Sequence, residues 1–282
     1  MSGWNLIIDV ARCENCHNCT LAVKDEHVGN DFPGYAAPIP RHGTNLIAIE
    51  RKVRGTGHHV DVAYLPTMCN HCDDAPCLKA GGADGAVRKR PDGIVIIDPV
   101  KAKGRKDLVD SCPYGSISWN DELSLPQIWI FDAHLLDQGW EEPRAAHVCP
   151  TQAITVARVA DDRMAARATA EGLRVLQPEL GTRPRVYYKN LHRFDRAFVA
   201  GTVLVETGGK MACVQDAEVA LFQGDARIAT MASDTFGDFK FDGLEPSSGP
   251  YRVAASHAEF GTGQLNLSLG AEACTCELLL TQ

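Results

Sequence analysis

Short apolar stretches of strand length, separated by glycine, proline and polar residues, recur along most of this chain. The first, Trp4–Val10, is rich in β-forming residues and predicts a strand that leads into a cysteine-rich loop and a short helix. Residues 30–68 contain many glycines and prolines and predict a long irregular stretch with one strand, within 44–55. Ordered loops of this length usually serve as functional or partner-binding surfaces.

Small elements are predicted in the middle of the chain. Residues 86–98 have the pattern of a β-hairpin with its turn at Pro91–Gly93. Further strands are predicted at 115–120 and 152–159, an amphipathic segment at 127–139, and helices at 104–112 and 161–173. Asp161 or Asp162 is the expected cap of the last helix, and Gly172 lies near its end.

The pattern changes at about residue 197. From there to the end, seven short stretches alternate apolar and polar residues, with glycine, aspartate and serine between them. This spacing predicts an all-β, seven-stranded sandwich of the carboxypeptidase-regulatory or immunoglobulin-like kind.

Composition narrows the class of protein. The 282 residues are 45% hydrophobic, enough for one large or two modest cores, and the formal net charge is −8, which disfavours a nucleic-acid partner. The sequence has no apolar run long enough to span a membrane, and its N-terminal residues lack the features of a secretory leader. A cytoplasmic location is therefore expected.

Eight of the eleven cysteines form two triplets and two Cys-Pro pairs. The triplets have C-x2-C-x2-C and C-x2-C-x4-C spacing, and each later cysteine is followed directly by proline. The eight are Cys13, Cys16, Cys19, Cys69, Cys72, Cys77, Cys112 and Cys149. Two sets of four thiolates are the ligands of two 4Fe–4S clusters, and C-x2-C spacing without a leader favours metal binding over disulfides.

The Cys-Pro pairs also indicate an internal repeat, because "CPYGSISW" and "CPTQAITV" both continue into a predicted strand. The expected fold class is therefore α+β. A duplicated ferredoxin-like 4Fe–4S domain with long loops is expected over residues 1–160, a connector over 161–196, and the sandwich over 197–282.

Eight other positions lack a cysteine that ferredoxins carry. In the run C-x2-C-x2-C-x3-C-P, the fourth cysteine binds the other cluster. The same spacing, counted forward from each triplet and backward from each Cys-Pro pair, reaches no further cysteine. Forward counting reaches Val23 and Gly81, and backward counting from Cys112 reaches Leu108, Arg105 and Ala102. Backward counting from Cys149 reaches Ala145, and the earlier candidates before it are Asp132 and Trp129.

This arrangement resembles the four-cluster ferredoxin subunits of the dimethyl-sulfoxide-reductase family of molybdenum and tungsten enzymes. The resemblance implies that the first triplet shares its cluster with Cys149 and the second with Cys112. Two further clusters would then have lost all their ligands together, one set being Val23, Trp129, Asp132 and Ala145. The other set is Gly81, Ala102, Arg105 and Leu108.

Further segments, among them "KDEHVGNDFPGY", "NHCDDAPC" and "PELGTRPRVYYKNLHRF", resemble the small subunits of pyrogallol–phloroglucinol transhydroxylases and related anaerobic phenol hydroxylases. This resemblance covers nearly the whole chain and implies a non-catalytic subunit with two 4Fe–4S clusters. The implied partner is a large subunit that carries molybdopterin guanine dinucleotide with molybdenum or tungsten and acts on polyhydroxylated aromatics. The family's small subunit is expected to keep three clusters, and this chain lacks the ligands of one more.

Other interpretations stay open. The chain could be the electron-transfer subunit of a molybdenum oxidoreductase such as a resorcinol hydroxylase or catechol dehydroxylase, or an adaptor whose loops are held by clusters or by structural zinc. His17, His71 and His147 are expected to pack beside the cluster cysteines or hydrogen-bond near them rather than bind metal. Asp25, Glu26 and His27 are expected to form an interface loop or structural hydrogen bonds. A solvated loop is expected for His58 and His59, and buried or incidental thiols for Cys213, Cys274 and Cys276.

Overall fold

A computed structural model describes residues 2–282, which form two compact units. The first unit comprises residues 2–51 and 64–190, and the second comprises 52–63 and 191–282. Most of the regular structure is strand. The strands are β1 Ser2–Asp9, β2 Ile47–Thr56, β3 His59–Met68, β4 Val87–Lys89, β5 Val95–Ile97, β6 Ser118–Asn120, β7 Leu125–Gln127, β8 Ile154–Ala160, β9 Val186–Lys189, β10 Ala197–Thr207, β11 Lys210–Cys213, β12 Glu218–Gln223, β13 Ala226–Ala232, β14 Asp238–Leu244, β15 Gly249–His257, β16 Gly261–Leu269 and β17 Ala273–Leu280.

The helices are short. They are α1 Asn18–His27, α2 Pro76–Gly81, α3 Asp107–Asp110, α4 Ala133–Asp137, α5 Arg144–His147, α6 Asp161–Glu171 and α7 His192–Asp195, with a 3-10 turn at Pro178–Leu180. Among the described residues, no helix has the length and apolar character that crossing a lipid bilayer requires.

A three-stranded sheet in the order β8-β1-β9 lies at the centre of the first unit. Strand β1 pairs antiparallel with β8, Leu6 opposite Val156, and parallel with β9, Leu6 opposite Val186. The run of β-forming residues in β1 is buried on both faces, as expected of a central strand. Its C-terminal end delivers the chain to the first cysteine loop.

The expected connector over 161–196 differs in the structure. Helix α6 packs Met164 into a small core with Ile7 and Ala157, and β9 is an edge strand of the central sheet. Residues 161–190 therefore belong to the first unit, because their apolar side chains are needed to cover β1. The cap of α6 is Ala160, with Asp161 in the first turn, and Gly172 ends the helix at φ 62°.

The stretch 30–68 holds two strands rather than the one predicted. Strands β2 and β3 form a two-stranded sheet. The second strand was not predicted because Pro66, Gly55 and Gly57 are residues typical of turns and irregular stretches. The Pro66 carbonyl accepts a hydrogen bond from the Tyr188 hydroxyl at 2.9 Å, which ties this strand to β9.

The second unit contains two four-stranded sheets that share one hydrophobic core. In one sheet β10 pairs with β11, β14 and β17, and the other has the order β13-β12-β15-β16. Each of the seven predicted stretches holds a strand, and the short β11 is an addition. Cys213 is exposed, while Cys274 and Cys276 are half-buried against the core.

Candidate metal centres

The first cysteine loop is curled by two residues in the left-handed region. Asn15 and His17 have φ values of 58° and 60°, and this curling turns the short loop back on itself before α1 begins. The Cys13 sulfur accepts a hydrogen bond from the Asn15 backbone. Such curled backbone forms concavities in which N–H groups face sulfur ligands.

The second loop repeats this geometry. His71 takes the left-handed conformation at φ 47°, and its backbone donates to the Cys69 sulfur, as Asn15 does to Cys13. Cys77 lies in α2, which begins at Pro76. In both triplets, therefore, a left-handed residue two positions after the first cysteine donates its backbone N–H to the sulfur of that cysteine.

The two Cys-Pro pairs also match each other. Three residues after each cysteine, Gly115 and Gln152 have φ values of 63° and 53°. Their N–H groups donate to the carbonyls of Cys112 and Cys149, both at 3.1 Å. Each turn then leads into a strand, β6 or β8.

The eight thiols fall into two groups of four. Burial raises the pKa of Cys13, and nearby thiolate charge at Cys149 and Cys16 raises it further. Burial likewise raises the pKa of Cys19 to about 11, with added contributions from Cys13 and Cys16. Four thiols that affect one another in this way are the donor set expected of a metal centre, in which the metal charge offsets their repulsion.

The second group is more deeply buried. Burial raises the pKa of Cys69 well above its usual range, and Cys77, Cys112 and Cys72 raise it further. In the first group, by contrast, Cys16 is exposed. The first group is therefore the more accessible to solvent, whereas in the second group Cys72 is buried and Cys69, Cys77 and Cys112 are partly buried.

Lys89 is a residue near the second centre that the sequence pattern did not single out. Its ammonium donates to the carbonyls of His71 and Cys72, both at 2.9 Å, and pairs with Asp73 at 2.8 Å. It therefore fixes the loop and places a positive charge beside the thiols. Its position on β4 is set by tertiary pairing, so spacing from the cysteines could not reveal it.

The three histidines near the cysteines differ in their contacts. The Nδ1 atom of buried His71 accepts the Val95 backbone N–H at 3.1 Å, and burial lowers the pKa of His71 to about 3. His147 is exposed, with Nδ1 3.2 Å from a Glu142 carboxylate oxygen. His17 supplies the left-handed residue that precedes α1.

The first set of lost ligand positions is filled by packed side chains. Val23, Trp129, Asp132 and Ala145 are all at most 1% exposed. The Trp129 indole donates to Asp132 Oδ1 at 3.2 Å and stacks on Phe131. Asp132 Oδ2 accepts the Arg144 backbone N–H at 2.8 Å. All four positions thus hold buried side chains, and the polar one among them is hydrogen-bonded.

The second set is filled differently. Ala102 and Leu108 are fully buried, and a Cβ added at Gly81 would lie 3.0 Å from a Leu108 methyl and 2.7 Å from a Val87 methyl. Arg105 points away from this contact, donating to the Ala80 carbonyl at 3.1 Å and pairing with Asp107 at 2.8 Å. Close apolar packing and a surface ion pair replace the ligands.

Asp25, Glu26 and His27 have the structural roles expected of them. Glu26 accepts hydrogen bonds from His134 at 2.8 Å and from Arg144, and Arg144 also pairs with Asp25 at 2.8 Å. His27 is buried, its Nε2 3.6 Å from Asp132 Oδ1. These residues support the filled site beside them.

A family described as "4Fe-4S dicluster domain" matches residues 60–159, which include the second triplet and both Cys-Pro pairs. The chain is thus a protein with a ferredoxin-like 4Fe–4S dicluster domain.

Curated relatives narrow this class. The chain is 44% identical over 256 residues, 90% of each chain, to the pyrogallol hydroxytransferase small subunit of Pelobacter acidigallici. It is 31% identical to a tetrathionate reductase subunit from Salmonella typhimurium, over 69% of this chain and 74% of that one. An arsenate respiratory reductase iron–sulfur subunit from Shewanella sp. is 34% identical over 49% of this chain and 53% of its own length. The chain belongs to this family of iron–sulfur subunits of molybdenum enzymes.

Proposed function

We propose that this chain is the small subunit of a molybdopterin-dependent hydroxylase or transhydroxylase and that it binds two 4Fe–4S clusters. Cys13, Cys16, Cys19 and Cys149 would hold one cluster, and Cys69, Cys72, Cys77 and Cys112 the other. Mutual effects of the thiols within each group support these sets. When bound, a 4Fe–4S cluster accepts and releases single electrons.

One observation carries the proposal of two clusters rather than three or four. The positions at which the family resemblance implies lost ligands lack cysteine in complete sets, and each set contains a direct contact, Trp129 with Asp132 in one and Gly81 against Leu108 in the other. A chain that had lost single ligands would instead keep unpaired thiols beside a partly empty site. The matching turns after Cys112 and Cys149 support the proposal that the cluster-binding unit arose by duplication.

The proposed partner is a large catalytic subunit carrying molybdopterin guanine dinucleotide with molybdenum or tungsten. The name of the Pelobacter relative suggests a polyhydroxylated aromatic, such as pyrogallol, as the substrate of the complex. The exposed Cys16 and the neighbouring exposed Leu21 favour the first centre as the one nearest to the partner.

The proposed role is to support the partner's metal centre rather than to conduct electrons over a long distance. The second missing cluster would lie between the two that remain in the family's series, and electron tunnelling falls steeply with distance. A transhydroxylation needs no net electrons, so the reaction tolerates this loss. The first cluster would then set the redox state of the partner's metal, and the buried second cluster would hold the fold.

A second candidate function is electron transfer to an external donor or acceptor. The relatives from Salmonella and Shewanella, whose names describe reductase subunits, favour it. The filled positions count against it, because they leave the two remaining centres without an intermediate.

Co-expression with the large subunit tests the proposed function. We expect the two chains to copurify with molybdenum or tungsten, and Cys149→Ala to change the redox behaviour of that metal. Cys112→Ala is the matched variant in the second centre, and we expect it to lower thermal stability while leaving the metal's redox behaviour unchanged in the assembled fraction. Rapid-freeze EPR of the complex mixed with a soluble redox partner measures how fast the clusters are reduced. Reduction of every cluster at the rate of catalysis would contradict the proposal, because it would show that this subunit conducts electrons.

A further inference from the structure

The second unit contains a group of possible metal ligands that is separate from the cysteines. His58, His59 and Asp238 place one imidazole nitrogen each and a carboxylate oxygen within 4.8 Å of one another. The adjacent histidines were expected in a solvated loop, but only His58 is exposed, and His59 packs against β10 and β14 of its own unit. We propose that these three residues form a binding site for a divalent transition-metal ion such as Zn²⁺ or Ni²⁺.

The backbone brings the two histidines to the same side. They lie at the turn between β2 and β3, and their rings are 4.4 Å apart. Gly55, at φ 87°, allows this turn, because a Cβ there would lie 2.0 Å from the His59 carbonyl oxygen and 2.8 Å from the Phe198 ring. In a regular strand, neighbouring side chains would point to opposite faces. The absence of a side chain at Gly55 therefore permits the turn at which the two histidine side chains come to the same side.

Thr202 organises the three groups. Its hydroxyl donates to Asp238 Oδ1 at 2.6 Å, and its oxygen lies 3.1 Å from His59 Nε2 and 3.4 Å from His58 Nε2. A hydrogen bond of this kind orients a carboxylate ligand. His59 Nε2 is 3.9 Å from Asp238 Oδ1, and all three ligand atoms lie within 4.8 Å of one another. Ligands of a tetrahedral zinc ion are about 3.3 Å apart for bonds near 2.0 Å, so the three side chains draw together by up to about 1.5 Å when they bind the ion.

The surroundings favour a cation with an open coordination position. A pocket of about 320 Å³ adjoins the three residues, and Asp61, Asp234 and Lys240 also line it. Lys240 pairs with Asp61 at 3.0 Å and with Asp242 at 3.1 Å. Arg54 pairs with the same two carboxylates, so Asp234 and Asp238 are the lining carboxylates that lie outside this network.

The ligand chemistry selects the metal class. Two imidazoles and one carboxylate suit zinc, nickel or copper, whereas magnesium and calcium prefer sites made of oxygen atoms alone. With three protein ligands, the fourth position of a tetrahedral ion would face the pocket and accept water or a small anion.

Isothermal titration of the full chain with Zn²⁺ and Ni²⁺ tests the site. The chain is used with its iron loaded, so that the cluster cysteines are occupied, and the iron content of each variant is measured beside the titration. We expect one saturable site per chain and at least about tenfold weaker binding in Asp238→Asn and in the double variant His58→Ala/His59→Ala.

His257→Ala is the matched control, because His257 is another sandwich histidine and stacks on Phe260 instead of facing Asp238. It should bind both ions as the wild type does. Asp238→Asn keeps the shape of the side chain, so it reports on the ligand even where the double histidine variant folds poorly. The proposal is overturned by the absence of saturable binding in the wild type, or by equal binding in wild type and Asp238→Asn.

Discussion

Replacing Cys149 with alanine is expected to remove one of the two clusters and to leave the other in place. The iron content should fall from about eight to about four per chain, since each cluster contains four irons. The reason is that Cys149 belongs to the same thiol group as Cys13, separate from the group that contains Cys112. Iron and sulfide analysis of anaerobically purified protein measures the loss.

Double variants test which cysteines bind the same cluster. Cys13→Ala/Cys149→Ala should lose no more iron than either single change, because both residues hold one cluster. Cys112→Ala/Cys149→Ala should lose nearly all of it. Cys213→Ala, at an exposed thiol of the sandwich, is the control and should keep its iron. The opposite pattern, in which Cys13 and Cys112 behave as one unit, would show that the pairing is wrong.

Replacing Trp129 with alanine is expected to destabilise the first unit by about 3–5 kcal/mol, the usual cost of truncating a buried aromatic side chain. Trp129 is fully buried, stacks on Phe131 at a centroid distance of 5.0 Å and donates a hydrogen bond to Asp132. Its removal leaves a cavity where the lost cluster would lie. Thermal unfolding of the iron-loaded chain at one fixed scan rate measures the effect as a lower unfolding temperature.

Trp140→Ala is the matched control, because that indole is 42% exposed and fills no lost ligand position. It should change the unfolding temperature little. Equal stability of the two variants would mean that Trp129 does not fill the site. Iron content should stay unchanged in both, since neither residue is proposed as a ligand.

The short cysteine loops could be predicted from the sequence, because the cysteine spacing directly encodes them, and the two ligand sets stay a prediction. The left-handed residues Asn15 and His71 occupy equivalent places in the two triplets, as the repeated spacing suggests. The positions that lack an expected cysteine were equally informative. Trp129 and Asp132 stand at two of them and are hydrogen-bonded to each other.

Contacts between residues distant in sequence could not be predicted in this way. Strand β3 was missed because Pro66 and the flanking glycines mask its alternation, and its pairing with β2 overrides that local signal. Lys89 contacts the second cysteine loop because tertiary packing brings strand β4 beside that loop. The convergence of His59 and Asp238, about 180 residues apart, likewise depends on tertiary packing.

A count of clusters and metals in the purified chain tests the two-cluster proposal most directly. Iron, sulfide and zinc are quantified on one sample, and the EPR signal of the fully reduced protein is integrated. We expect about eight irons and eight sulfides per chain, and two unpaired spins, one from each reduced cluster. Twelve or more irons per chain, or zinc in place of iron at the cysteines, would contradict the proposal.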